Sequence, residues 1–372
     1  MPSSKASGAW PTARWPRMAD RRDSFAGTIG PARIVVCVGT GGVGKTTAAA
    51  AIALAAAREG RRAVVVTIDP ARRLAQALGL ESLGNEAREV VGAGRNGGSL
   101  HAAMLDPRAT FDAMVTRCAL DEAQRDRILA NHFYQTIAGN LAGTHEYMAM
   151  EKLHELADTG AYDLIVVDTP PSRDALAFLD APRMFARLLD NWLYKLLVTP
   201  SRGFARTAAA GAHTVARQLT RVVGAAVIED TIAFFRALDG IEEGFRLRAA
   251  DVYRMLQSDE AAFVLVVSPR PDTLEEAGRF ASILGDAGMA VRAVVVNRVT
   301  PSFGSAAVPQ GRSGAARALA DFRALAEREA AEIAGFVATG PRSTVVQVPM
   351  LPHDIHDLDG LLTIAGLLFA PT

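Results

Sequence analysis

The sequence predicts an α/β protein with a doubly wound, mainly parallel sheet and a mostly helical subdomain. From residue 33 onward, short β-branched segments alternate with helical stretches, which predicts right-handed βαβ crossovers. Six segments are almost continuously apolar, as strands covered on both faces must be. They are residues 34–38, 63–68, 164–167, 263–267, 293–296 and 345–348, and residues 99–105 form a weaker seventh candidate. Ligands of such sheets bind beyond the carboxyl ends of the strands, so functional residues are expected just after these segments.

Composition indicates a folded chain with a sizeable core, because 49% of its 372 residues are apolar and 22% are charged. We expect a single domain over 31–372, with helical insertions at about 107–160 and 181–260. Residues 1–30 are rich in Pro, Ser, Ala and Arg and are predicted to be a disordered tail. The alternative is a partner-binding arm anchored by Trp10 and Trp15.

Charge and cysteine content exclude several classes of protein. Lys plus Arg and Asp plus Glu number 40 each, so the basic excess typical of nucleic-acid binding is absent and no nucleic-acid partner is expected. Cys37 and Cys118 lie in no CxxC motif, which leaves no thiolate zinc site within one chain and favours a reducing cytoplasm. No apolar run approaches the ~18–20 residues that span a bilayer.

The first strand runs directly into a glycine-rich loop, Gly39-Thr-Gly-Gly-Val-Gly-Lys-Thr-Thr47, followed by an alanine-rich helix. The pattern G-x-x-x-x-G-K-[ST] between a strand and a helix predicts a phosphate-binding loop. Glycines let backbone N–H groups approach phosphate oxygens, Lys45 places a cation at the β- and γ-phosphates, and the Thr46 hydroxyl ligates Mg²⁺. A glycine-rich turn without a ligand would leave Lys-Thr at the helix start unexplained. The predicted ATP-binding residues of the loop are Gly39, Thr40, Gly41, Gly42, Val43, Gly44, Lys45, Thr46 and Thr47.

Two acids follow apolar strands. Asp168 closes the segment Leu164-Ile-Val-Val-Asp168, where a carboxylate orders the magnesium shell through water. Its alternative is a helix cap or turn residue. Asp69, in Thr67-Ile-Asp-Pro, is a candidate to orient or deprotonate the attacking water. An acid before proline is as often a turn former, and the spacing alone leaves both interpretations open.

The base is predicted to be adenine. A guanine site presents an N-K-x-D string, whereas the corresponding strand here continues as Asn297-Arg-Val-Thr, without the acid. The Asn297 amide can pair with an adenine edge through one donor and one acceptor. ATP is therefore favoured over GTP.

Taken together, the motifs resemble those of the ArsA-type anion-transporting ATPases, which use a deviant Walker A loop. This group includes the arsenite-pump ATPase and the guided-entry ATPase for tail-anchored proteins. The similarity covers residues 33–360 and includes Ala142-Gly-Thr-His-Glu146 and the closing Val348-Pro-Met-Leu-Pro352. The resemblance implies a dimeric, Mg²⁺-dependent ATPase with facing ATP sites. It also implies that Asp69 is the catalytic switch I acid and that Pro349 belongs to the loop covering adenine.

The departures from the family pattern are informative. The family loop usually carries at its second position a lysine that reaches the partner's phosphates, but this chain has Thr40. We therefore favour a heterodimer with a paralogous subunit that supplies the lysine over a homodimer. The clustered cysteines that bind arsenite and the paired cysteines that bind zinc in relatives are absent, which makes metalloid binding unexpected.

The expected function is ATP hydrolysis coupled to dimer conformations that handle a hydrophobic protein or membrane-associated client. Localisation is expected to be cytoplasmic, with peripheral membrane attachment left open. An apolar stripe over 184–197 either packs on the sheet or a neighbouring helix, or lines a client groove within 181–255. Two alternatives remain: a catalytically weak scaffold subunit of a heteromeric ATPase, and a partitioning or positioning ATPase. Neutral charge and Thr40 weigh against the latter.

Overall fold

The computed structural model describes residues 24–69, 73–137, 144–171, 225–238, 240–304, 314–340 and 342–370. Its centre is an eight-stranded sheet in the order β3-β4-β2-β5-β1-β6-β7-β8, parallel except for the pairing of β3 with β4. The strands are β1 (Ile34–Val38), β2 (Arg62–Thr67), β3 (Arg88–Glu89), β4 (Ser99–Met104), β5 (Leu164–Asp168), β6 (Ala261–Val267), β7 (Val291–Val299) and β8 (Thr344–Pro349). The predicted fold class is confirmed.

All seven predicted segments are strands, including the weak one, which becomes β4. The eighth strand, β3, does not follow from the sequence pattern, because its two residues, Arg88 and Glu89, are exposed and charged. Such a short edge strand carries no apolar signal. By contrast, β1, β5 and β6 are buried at every position, which explains their continuous apolar sequences.

Helices cover both faces of the sheet. They are α1 (Phe25–Ile29), α2 (Lys45–Arg58), α3 (Arg73–Ala77), α4 (Pro107–Cys118), α5 (Glu122–Leu129), α6 (His132–Ile137), α7 (Thr144–Asp158), α8 (Ala225–Ala237), α9 (Glu242–Gln257), α10 (Pro271–Asp286), α11 (Gly314–Thr339) and α12 (Leu358–Leu368). One core joins α1, α2, α3 and α12 to the sheet, and the other joins helices α4 to α11 to the opposite face. Successive residues of β1 alternate between the two cores.

Part of the predicted tail is folded, which corrects that expectation for residues 24–30. Ser24 caps α1 by accepting a hydrogen bond from the Gly27 N–H, and Phe25 and Ile29 are buried. The Phe25 ring meets Phe369 edge-on at 5.1 Å. A five-residue helix has too few turns for a periodic signal, so composition alone was misleading here. Residues 1–23, with Trp10 and Trp15, lie outside the described residues.

The predicted helical insertions correspond to α4–α7 and, in part, to α8 and α9. The apolar stripe over 184–197 lies outside the described residues, so its two interpretations and the domain boundaries stay predictions. Within the described part of the chain, none of the helices is long and apolar enough to cross a membrane.

A buried ion pair joins α7 to α9. The Glu151 side chain is 1% exposed, and its carboxylate accepts hydrogen bonds from Arg248 Nε at 2.8 Å and Nη2 at 2.6 Å. Arg117 of α4 approaches the same carboxylate at 3.9 Å. The hydrogen bond to Glu151 raises the pKa of Arg248 above its ordinary value. This pair therefore fixes the relative position of helices on the side of the sheet away from α2.

Candidate nucleotide site

The loop between β1 and α2 contains two glycines at which both a positive φ and a close neighbour exclude a side chain. Gly39 has φ +154°, and a Cβ there would lie 2.0 Å from the Val266 carbonyl oxygen. Gly44 has φ +96°, and a Cβ there would lie 2.3 Å from the Asn297 amide nitrogen. The first glycine thus allows close packing on β6, and the second allows the chain to turn into α2. Both roles explain the fixed glycines of the motif.

Lys45, the first residue of α2, folds back over the loop. Its side chain is 7% exposed, and Nζ donates to the Thr40 carbonyl oxygen at 2.8 Å. Burial lowers the pKa of Lys45, and the negative charges of Asp168 and Asp69 oppose this shift. The ammonium group is therefore held at the loop by one carbonyl and two nearby carboxylates.

Asp168 connects three neighbouring elements at the carboxyl edge of the sheet. Its Oδ2 accepts from the Thr46 hydroxyl at 2.8 Å and from the Thr67 hydroxyl at 2.9 Å. Parallel register places Thr67 of β2 and Cys37 of β1 directly beside Asp168 of β5. The other carboxylate oxygen, Oδ1, is buried without a hydrogen-bond partner. Burial raises the pKa of Asp168 to about 6, although both hydroxyls and Lys45 counteract the shift.

These groups fit a magnesium ion. Mg²⁺ prefers hard oxygen ligands and usually keeps several waters, taking one or two protein groups. The Thr46 hydroxyl and the Asp168 carboxylate supply such oxygens in contact with each other. A buried carboxylate oxygen without a partner is costly unless an ion or water satisfies it, and Oδ1 of Asp168 is such an atom.

Asp69 follows β2 at the same edge of the sheet. Its backbone N–H donates to the Thr67 hydroxyl at 3.2 Å, and the preceding Ile68 N–H donates to the Asp168 carbonyl at 3.0 Å. His145 Nε2, at the start of α7, lies 3.0 Å from the Ile68 carbonyl oxygen. The Asp69 backbone is therefore fixed beside Thr67 and Asp168, and the preceding residue is linked to α7. Residues 70–72 lie outside the described residues.

A cleft of about 690 Å³ opens above these residues. Its lining includes most of the predicted site: Gly41, Gly42, Gly44, Lys45, Thr46, Thr47, Asp69, Asn297 and Pro349. The structure thus brings together residues that are separated by up to about 300 positions in the sequence. The volume lies within the ~300–1,000 Å³ typical of small-molecule sites.

Asn297 holds the phosphate loop. Its Nδ2 donates to the Val43 carbonyl at 2.8 Å, and its Oδ1 accepts from the Arg298 N–H at 3.0 Å. This explains why Gly44, which lies against Asn297, has no room for a side chain. Adenine contacts of Asn297 and Pro349 stay predictions, although both residues line the cleft.

Thr40 brings no charge to the loop. The residue is 8% exposed, and its hydroxyl oxygen is buried without a hydrogen-bond partner. Its carbonyl, by contrast, binds Lys45. The second position of the loop therefore contributes backbone to the site and no cation.

Sequence reasoning missed several residues of the site, of which three make hydrogen bonds that shape it. Thr67 is the polar last residue of an apolar strand, and this position could have indicated a site residue. Its contact with Asp168, however, depends on the register between β2 and β5. Thr169 donates its hydroxyl to the Cys37 carbonyl at 2.8 Å and lines the cleft. Arg298 reaches the Gly42 carbonyl from a bulge in β7, which no local pattern predicts.

The two thiols are poor metal ligands. Burial raises the pKa of both Cys37 and Cys118 above their ordinary values, which disfavours the thiolate that binds metals. Among the described residues, His, Cys, Asp and Glu form no group of three that could hold a metal ion.

A parallel sheet, a glycine-lined loop leading into a helix, and a lysine, threonine and aspartate at that loop define a P-loop protein of the nucleoside-triphosphate-binding class. The chain matches the family described as anion-transporting ATPase, the ArsA ATPases, over residues 32–370. It belongs to that family, and the resemblance inferred from the motifs is confirmed.

Curated relatives share part of this sequence. The chain is 30% identical over 158 residues to ATPase GET3 of Malassezia globosa, covering 42% of this chain and 45% of the relative. It is 31% identical over 155 residues to ATPase get3 of Aspergillus terreus, covering 41% and 43%. The chain thus spans less than half the length of the curated relatives it matches.

Proposed function

We propose that this chain is a Mg²⁺-dependent ATPase that binds ATP in the cleft and hydrolyses it to ADP and phosphate. One observation carries the proposal: the Asp168 carboxylate binds the hydroxyls of Thr46 and Thr67 while Lys45 lies across the loop. A carboxylate, two hydroxyls and an ammonium in this arrangement are suited to bind a polyphosphate and its cation. Membership in a family of ATPases supports the same reaction.

Each residue has a distinct role in this proposal. Backbone N–H groups of Gly41–Thr47 surround the phosphates, and Lys45 compensates charge that develops on the transferred phosphoryl group. Bound magnesium, held by Thr46 and through water by Asp168, would neutralise phosphate charge. Asp69 lies beside Thr67 and accepts a proton from, or orients, the attacking water. The absence of an N-K-x-D string supports ATP over GTP.

Replacing Asp69 with asparagine tests its role. Asp69→Asn keeps the size of the side chain but removes the basic carboxylate, so we expect single-turnover ATP hydrolysis to slow by about 10²-fold or more while ATP affinity changes little. The rate of phosphate release at saturating MgATP measures the first quantity, and calorimetry the second. A suitable control is Asp272→Asn on α10, whose carboxylate pairs with Arg270 at the surface.

Unchanged hydrolysis in Asp69→Asn would remove Asp69 from the reaction. If instead the unmodified chain binds ATP but does not hydrolyse it, either alone or mixed with a paralogous subunit, the alternative of a nucleotide-binding scaffold replaces the enzyme.

The proposal extends to dimers in which ATP controls the contact between subunits. Since Thr40 supplies no cation, a paralogous partner with a lysine at this position is favoured over a second identical copy. Full ATPase activity of the purified chain alone would contradict the heterodimer. Activity that appears only on mixing with a paralogue would support it.

We further propose that ATP hydrolysis is coupled to the handling of a hydrophobic protein or membrane-associated client, and that the protein acts in the cytoplasm. The His145–Ile68 contact supports coupling, because it joins helix α7 to the segment carrying Asp69. Neutral net charge argues against a partitioning ATPase that binds DNA. Co-purification from cells with and without a non-hydrolysable ATP analogue would test client binding: a client retained in one nucleotide state supports it.

A further inference from the structure

A bulge at the end of β7 places one arginine at the phosphate loop. The pairing of β7 with β8 shifts register between Asn297 and Val299, and Arg298 lies between them with φ +62°. A non-glycine residue with positive φ is uncommon and strained, and such residues cluster at ligand sites. The strained position thus points to a role for the side chain.

The Arg298 side chain points to the loop. Its Nη1 donates to the Gly42 carbonyl at 3.0 Å, the residue is exposed, and it lines the cleft together with Gly42 and Lys45. Its neighbour Asn297 binds the next loop residue, Val43, through a hydrogen bond of 2.8 Å. Two consecutive residues of the bulge therefore donate hydrogen bonds to consecutive loop carbonyls, and these bonds hold the guanidinium against the loop.

Arg298 adds a cation to the cleft beside the loop, where Lys45 alone would have to balance the phosphate charge. Lys45 is buried and already lies close to Asp168 and Asp69, whose charges offset its own. The triphosphate of ATP carries several negative charges at neutral pH and requires further donors. A guanidinium has five N–H donors in a planar fork that matches phosphate oxygens. The Gly42 carbonyl uses only one donor.

We infer that Arg298 is a phosphate-binding residue, supplying in cis a guanidinium that contacts the phosphate oxygens of the nucleotide. The inference rests on the proposed function, since it names how the same cleft holds ATP. The Arg298 contact is expected to change the affinity for the nucleotide, whereas the missing cation at Thr40 is expected to change the rate of hydrolysis. Arg73 is exposed at the start of α3 and also lines the cleft. Unlike Arg298, it donates to no loop carbonyl among the described hydrogen bonds.

Calorimetric titration of the full chain with MgATP, MgADP and adenosine tests this inference. In Arg298→Gln, which keeps the backbone strain of a non-glycine residue, we expect the Kd for MgATP to rise about tenfold or more. The Kd for adenosine should change less than about twofold. Arg298→Lys should recover part of the affinity. Arg292→Gln is the matched control, because Arg292 lies on the same strand and pairs at the surface with Asp259.

The outcomes separate the two proposals. Equal Kd values for MgATP in Arg298→Gln and the unmodified chain overturn the phosphate contact but leave the ATP site intact. An equal loss for adenosine and MgATP also overturns it, since the arginine would then act only by shaping the loop. Failure of the unmodified chain to bind MgATP, both alone and mixed with a paralogous subunit, overturns both proposals.

Discussion

Lys45→Met is expected to reduce ATP hydrolysis by about 10³-fold or more. Methionine keeps the length and packing of the buried stem but removes the ammonium that binds the Thr40 carbonyl and faces Asp168 and Asp69. Loss of a preorganised donor in a phosphoryl or acyl transfer site costs about 10²–10⁵ in rate. Steady-state phosphate release at saturating MgATP measures the effect. The substitution also removes a cation that lowers the pKa of Asp168, so that pKa should rise.

The matched control is Lys152→Met. Lys152, on helix α7, is also buried and forms an ion pair with Glu155 at 2.9 Å, and it does not line the cleft. Its replacement should lower stability without changing turnover per folded molecule. A Lys45→Met protein that keeps more than a tenth of the normal rate would contradict the role assigned to Lys45.

Arg248→Met is expected to lower the free energy of unfolding by about 3 kcal/mol, because it leaves the Glu151 carboxylate buried without its main partner. Arg117, at 3.9 Å, retains part of the charge compensation, which places the loss at the lower end of the ~3–5 kcal/mol range for broken buried pairs. Urea unfolding followed by circular dichroism measures the change. The double variant Glu151→Met/Arg248→Met should recover most of the stability, since no unpaired charge then remains.

Arg254→Met on the same helix is the comparison. Arg254 is 76% exposed and pairs with Asp251 at the surface, so its removal should cost less than about 1 kcal/mol. If Arg248→Met proved no more destabilising than Arg254→Met, the buried pair would not hold α7 to α9. If the double variant were less stable than Arg248→Met, the remaining charge would not be the cause of the loss.

The sheet could be predicted because its strands are buried on both faces, and that burial demands apolar runs such as those of β1 and β6. The phosphate loop could be predicted for a different reason: its glycines, lysine and threonine follow one another in a fixed local pattern, and Gly39 and Gly44 adopt a positive φ. Both signals are contained within a few consecutive residues, so a single sequence displays them.

The remaining features depend on contacts between distant segments. Thr67 meets Asp168 only because β2 and β5 are neighbours in register, and Arg298 reaches Gly42 only because β7 bulges at its end. The α1 helix is held by a Phe25–Phe369 contact between residues near opposite ends of the chain. None of these partners can be identified from local composition or periodicity.

The binding of MgATP to the purified full chain tests the central claim most directly. Isothermal titration with MgATP should show saturable uptake approaching one nucleotide per chain. The affinity should fall strongly in Lys45→Met, and it should also fall when magnesium is chelated. Titration that detects no adenine nucleotide uptake, by the chain alone and mixed with a paralogous subunit, would contradict the assignment of the loop between β1 and α2 as the phosphate site.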